Sequence, residues 1–165
     1  MNKQKETATK EYIYRCRQAA RKGHVIAQNT LGILYIHGNG VGKNANIAVK
    51  WFKMAANMGY ASAQYNLAIM YQVGQGVKKN TAESMRWMLE SARQGHTTAQ
   101  EKMGNAYYFG QGVAQDNQKA YEWWFTAQQN GSASVHTNLA QLSEQLSDKQ
   151  VCDIKTLIMR VHRQH

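Results

Sequence analysis

Apolar residues recur along this chain at helical spacing, and the helical pattern itself recurs every 36 residues. Between Ser62 and Val73, the positions Ala63, Leu67, Met70 and Tyr71 share one helix face, which predicts a helix over about 62–73. Gly74 is placed to end it, because glycine adopts the left-handed cap conformation without a Cβ penalty. Gly76 serves the next turn. Asn80 is a good N-cap for a second helix, and Glu83 three residues on predicts half of a capping box. That second helix carries the stripe Ser84, Trp87, Met88 and Ser91, an i, i+3, i+4, i+7 face that must be buried.

The same pair of helices is written three times. Ala27, Ala63 and Ala99 align, followed by Tyr35, Tyr71 and Tyr107 and by Gly38, Gly74 and Gly110. Gly40, Gly76 and Gly112, then Val41, Val77 and Val113, come next. Asn44 and Asp116 stand in the Asn80 column. The stripes Ala48, Trp51, Phe52, Ala55 and Ala120, Trp123, Trp124, Ala127 flank that of the middle repeat, and Gly59, Gly95 and Gly131 close the second helices. A fixed period of this length is the mark of a repeat architecture. The prediction is one domain over 1–165: an N-terminal cap at 1–23, full repeats at 24–59, 60–95 and 96–131, and C-terminal cap helices at 132–165.

The ends decay as terminal caps do. Tyr12, Cys16, Ala19, Ala20 and Gly23 fall in second-helix columns, with Arg15 in place of the tryptophan. Val135, Leu139, Leu142 and Leu146 continue a first helix, with Ser143 in the tyrosine column. Ser147 and Gln150 form a capping box for a last helix whose apolar face is Val151, Ile154, Ile158 and Val161. Nine helices are expected.

The unit resembles the Sel-1-like repeat, a relative of the tetratricopeptide repeat. Leu-Gly-x-x-Tyr-x-x-Gly-x-Gly-Val at 31–41 carries the likeness, followed by Asn44, Ala48, Trp51, Ala55, Ala56 and Gly59. The likeness extends over roughly residues 8–146. It implies an all-α fold, a right-handed α/α superhelical solenoid of helix-turn-helix repeats. It also implies adaptor and scaffold roles, among them signalling, protein quality control, and bacterial effector binding or toxin immunity. The sequence departs from the pattern at Ala68, where the first helix usually has glycine, and at Ser84 and Ser91, where alanine is usual. The regularly spaced cysteines of the disulfide-stapled members are missing.

Charge adds a partner class. The net charge is +10, yet residues 83–165 sum to zero and no Asp or Glu lies between Tyr12 and Ala82. The positive field of the first half favours an anionic partner. No apolar run approaches the ~18 residues of a membrane span, and MNKQKETATK lacks the apolar stretch of a leader. A cytoplasmic location is expected, or a periplasmic or secreted one if a leader has been removed. Cys16 and Cys152 follow no disulfide or metal spacing and read as small buried apolar residues.

Catalytic chemistry finds no foothold. Gly38-Asn-Gly-Val-Gly-Lys43 is not a phosphate loop: His37 holds the first glycine position, Asn44 the hydroxyl position, and a helix precedes. His24 and His96 share a column two repeats apart, and His162 and His165 lie at the C-terminus, so no metal set forms. We expect no enzyme, no cofactor and no metal site. The repeated Tyr and Trp columns read as core, because packing repeats whereas a recognition site varies.

The variable columns carry the functional expectation. By resemblance to tetratricopeptide grooves, the exposed face of each first helix lines a concave side. In the first repeat these positions are Asn29, Ile33, Ile36 and His37. In the second they are Tyr65, Ile69, Gln72 and Val73, and in the third Glu101, Asn105, Tyr108 and Phe109. Tyr65, Gln72 and Tyr108 are the leading candidates, while Ile33, Ile69 and Phe109 divide evenly between recognition and inter-repeat packing. A basic patch of Lys50, Lys53, Lys78 and Lys79 would attract the acidic surface of a partner protein. The expected function is a monomeric protein-binding adaptor, with nucleic-acid or anionic-surface binding as the alternative.

Overall fold

Glycine and asparagine punctuate the chain as the columns require. The computed structural model describes residues 2–162, with side chains over 7–160. Val161, His162 and His165 fall outside the described side chains. Nine helices and no strand occur among the described residues: α1 (Asn2–Arg21), α2 (Val25–His37), α3 (Ala45–Asn57), α4 (Ala61–Val73), α5 (Thr81–Arg93), α6 (Thr97–Phe109), α7 (Asn117–Gln129), α8 (His136–Ser143) and α9 (Asp148–His162). Gly38, Gly74 and Gly110 end α2, α4 and α6 at positive φ, each donating its N–H to the carbonyl four residues back.

The second helix of each repeat is capped by a side chain, whereas α2 and α4 start without one. Asn44 Oδ1 accepts from the Ile47 N–H at 3.1 Å, Asn80 Oδ1 from Glu83 N–H at 3.0 Å, and Asp116 Oδ1 from Lys119 N–H at 3.0 Å. Each cap stabilises its helix by about 1 kcal/mol. At Asn80 only this side-chain half of a capping box is made, and Glu83 does not accept from the Asn80 N–H. The Asn80 N–H donates instead to the Tyr71 carbonyl at 3.0 Å, and Glu83 turns to Arg86 at 2.7 Å. The box at Ser147 is complete: its N–H and hydroxyl donate to Gln150 Oε1, and the Gln150 N–H donates back to Ser147 Oγ.

The chain gathers into two compact units, Met1–Trp87 and Met88–His165, which divide within α5. In the first, Cys16, Ala20 and Leu31 form a buried cluster, with Trp51 and Leu34 packed against it. Phe52 presses so closely on Gly32 that a Cβ there would overlap its ring. Gly76 combines positive φ with an approach to the Ala45 carbonyl that admits no side chain. In the second unit, Tyr121, Trp124 and Phe125 of α7 are buried with Val135, Leu139 and Leu142 and with Ile154 of α9. Leu146, Val151 and Ile158 close over that cluster. Burying each such large side chain is worth about 1.5–3 kcal/mol.

A glutamine column recurs in each unit. The Gln28 side-chain amide donates to the Ala20 carbonyl at 3.1 Å, Gln64 to Ala56 at 3.2 Å and Gln100 to Ala92 at 3.0 Å. Each is a second donor to a carbonyl in the last turn of the preceding helix, which also accepts from the N–H of Gly23, Gly59 or Gly95. In the third repeat, Gln100 Oε1 also accepts from Asn130 Nδ2 at 2.9 Å. In the first, Met58 holds the position aligned with Asn130, and Gln28 Oε1 is buried without a partner.

Candidate interaction faces

The first helix of each repeat turns its Ala, Gln and Leu or Met columns inward and leaves the positions before the glycine cap to solvent. In α2, Ile33 and His37 are exposed and Ile36 is half-buried. In α4, Gln72 and Val73 are exposed, while Tyr65 and Ile69 are half-buried. In α6, Phe109 is exposed and Glu101, Asn105 and Tyr108 are half-buried. His37, Val73 and Phe109 occupy aligned positions, and Val73 and Phe109 are 58% and 63% exposed.

Four of the expected groove residues have internal duties. Asn29 is not open to a ligand: it is 7% exposed, and its Oδ1 accepts from Asn66 Nδ2 at 2.9 Å. Asn105 Oδ1 accepts from the Trp124 indole N–H at 3.1 Å, giving that buried donor its partner. Tyr108 lies 5.3 Å from the Trp124 ring and 4.9 Å from the Phe109 ring, packed against the C-terminal cluster. The Glu101 carboxylate accepts from the Ser132 hydroxyl.

Lys50 and Lys53 of α3 and Lys78 and Lys79 of the loop after α4 are all exposed. Lys53 Nζ lies 5.5 Å from the centroid of the Tyr71 ring. Glu83 is the nearby acid. Hydrogen bonding from Arg86 holds its carboxyl below the usual range, with Lys53 contributing less. No Asp or Glu at all lies between Tyr12 and Ala82.

The cysteines differ from each other. Cys16 is buried, its thiol donates to the Ala27 carbonyl at 3.4 Å, and burial raises its pKa, so it is a poor nucleophile. Cys152 is exposed, contrary to the expectation of a buried residue: it lies on α9 away from the face that Val151, Ile154 and Ile158 present to the core. Among the described residues, no group of three or more His, Cys, Asp and Glu is placed to hold a metal ion. No described helix is long and apolar enough to cross a membrane.

Residues 25–60, 61–96 and 97–132 each match the Sel1 repeat. The chain belongs to the Sel1 repeat family. Sel1 repeats are in general protein–protein interaction modules, and proteins of this fold are typically non-enzymatic scaffolds. The chain is similar to c5321, a protective antigen present in uropathogenic Escherichia coli strains displaying an SLR fold. That match has 42% identity over 71% of this chain and 25% of that one, with a TM-score of 0.68. A Sel1 repeat protein from Oxalobacter formigenes shares 31% identity over 85% of this chain and 60% of that one, with a TM-score of 0.73. The chain therefore spans about a quarter and three fifths of these two relatives. Helicobacter pylori cysteine rich protein B shares the fold at 16% identity, over 78% of this chain and 92% of that one, with a TM-score of 0.62. Curated protein sequences give no match. The all-α helical-repeat class read from the 36-residue period is thus the class of its structural neighbours.

The Gln28, Gln64 and Gln100 column escaped the sequence reading. Its signal was the Ala-Gln pair that opens each aligned segment, a polar residue that repeats as strictly as the core does.

Proposed function

We propose that this Sel1 repeat chain is a protein-binding adaptor. Its recognition elements are the solvent-facing ends of the first helices, and its basic first unit attracts a partner with an acidic surface. One observation carries the proposal: His37, Val73 and Phe109 hold the same column, all three are exposed, and no two are alike. Around them the tyrosine, glycine and tryptophan columns repeat strictly. Packing explains the strict columns; an exposed, varying column with two apolar members fits recognition. Lys50, Lys53, Lys78 and Lys79 speed encounter with an acidic partner and make it salt-sensitive. Likeness to a bacterial protective antigen favours a bacterial setting, with effector binding or immunity the roles ranked first.

Affinity capture from the host, with mass spectrometry of the retained proteins, tests this with wild-type chain beside Val73→Asp and Phe109→Asp. A partner retained by wild type and lost from these variants at unchanged melting temperature supports the proposal. Equal retention by all three contradicts it. The same charge motivates nucleic-acid binding. Affinity for random duplex DNA that persists at about 150 mM salt and falls steeply above it would favour that alternative.

A further inference from the structure

A groove of about 480 Å³ lies between α1 and α2, walled by Tyr12, Arg15, Cys16 and Ala19 on one side and by Ile26 and Thr30 on the other. Tyr12 and Ile26 are 55% and 65% exposed, so the groove presents apolar surface to solvent. It shares no residue with the first-helix positions discussed above.

The repeat itself shows what such a groove accepts. Shifted by one repeat, Cys16 becomes Phe52 and Thr30 becomes Asn66. Those two residues are covered by α2: Phe52 packs on Gly32, and Asn66 donates to Asn29. The corresponding α3–α4 face is therefore covered by an α-helix that offers a small residue to the ring and an amide to Asn66. The α1–α2 groove occupies the corresponding place, sharing the small Ala19 (Ala55) but with Tyr12, Arg15, Cys16 and Ile26 where the other has Ala48, Trp51, Phe52 and Ser62. Charge narrows the occupant. Over residues 7–21, α1 carries Lys10, Arg15, Arg17 and Arg21 against the single acid Glu11, and α2 has no acid. A second copy docked through its own basic first half, which carries all of the net +10, would bring like charge against like.

We propose that the α1–α2 groove docks an amphipathic helix of a partner protein, apolar on the face it buries and acidic along its flanks. This is helix-in-groove recognition, with anchors at i, i+3, i+4 and i+7. Arg15, which pairs with Glu11 at 2.7 Å in the free chain, stands at the wall to share or exchange that partner with a carboxylate on the helix.

The probe is a stapled, fluorescein-labelled peptide of about 15 residues, long enough to be held helical. It has a Leu/Ala face and Glu flanks, and its twin carries Lys in place of every Glu. Fluorescence anisotropy against the full chain should show the acidic peptide binding and the basic one failing. Ile26→Asp should weaken the acidic peptide at least tenfold at unchanged melting temperature, because Ile26 is exposed. Arg15→Glu should weaken it and raise affinity for the basic twin. Phe109→Asp should leave it unchanged, which separates this groove from the first-helix faces. Equal affinity for both peptides, no effect of Ile26→Asp, or no binding of the acidic peptide up to about 1 mM would each overturn the proposal. So would a chain dimer in sedimentation that Ile26→Asp dissociates, since the occupant would then be a second copy.

Discussion

Gly104 and Trp124 are fitted to each other: a Cβ on Gly104 would overlap the indole of Trp124, as one on Gly32 would overlap Phe52. In the second repeat the aligned residues are Ala68 and Met88, where neither the glycine nor the ring is present. Gly104→Ala should therefore destabilise the protein. Overpacking costs about 1–3 kcal/mol, and the better helix propensity of alanine returns up to about 1. Adding Trp124→Met should recover part of the loss, with a coupling of at least about 0.5 kcal/mol in a double-mutant cycle. Urea melts of the two single mutants and the double mutant measure it; strict additivity would show that the pair is not coupled.

The glutamine column predicts an order of effects. Gln100→Ala removes bonds to the Ala92 carbonyl and from Asn130, whereas Gln28→Ala removes one bond and also a buried unpaired oxygen. The first should cost about 2–3 kcal/mol and the second about 1. Chemical denaturation of both variants checks the ranking, and a reversed order would contradict the hydrogen-bond assignment.

His96 should make stability depend on pH. Its Nδ1 accepts from the Ala99 N–H at 3.3 Å and caps α6, which requires that nitrogen to be unprotonated. Burial pushes its pKa below the ordinary 6.5. The unfolded chain therefore takes up the proton first. The contribution is complete above about pH 6.5 and is lost as pH falls from there through the lower folded value. His96→Asn, which keeps a capping side chain without titrating, should flatten the profile between about pH 7.5 and 5. An unchanged slope in urea midpoints would remove His96 as its source.

The C-terminal cap should be needed for solubility. Val135, Leu139, Leu142 and Ile154 cover Tyr121, Trp124 and Phe125. Leu142→Ala should cost about 2–5 kcal/mol. A chain ending at Gly131 should self-associate in size-exclusion chromatography, because its last apolar face is uncovered. A monomeric 1–131 fragment with the full-length melting temperature would contradict this assignment.

The fold was legible because each repeat restates it. Gly38, Gly74 and Gly110 mark the helix ends, Asn44, Asn80 and Asp116 the starts, and the stripe that holds Phe52, Met88 and Trp124 the buried face, with Trp51 and Trp123 of the tryptophan column only half-buried. The interaction faces were legible only in part. His37, Val73 and Phe109 could be placed on the first helices, but their exposure depends on which neighbours reach them. Asn29 is covered because the next repeat offers Asn66, and Tyr108 because Trp124 stands in a column that elsewhere holds Phe52 or Met88. Glu83 obeyed capping-box spacing yet bonded Arg86, since an arginine three residues on competes for the same carboxylate.

The central claim is that partners are recognised at the exposed ends of the first helices. Site-specific photo-crosslinking tests it most directly, with benzoylphenylalanine placed at Val73, at Phe109 and, as a control, at the exposed Met54 of α3. In host lysate the account predicts a discrete, nuclease-resistant protein adduct from position 73 or 109. Its yield should fall with added salt and with Lys78→Gln/Lys79→Gln. An adduct formed from Met54 but from neither first-helix position, or one that nuclease abolishes, would contradict it.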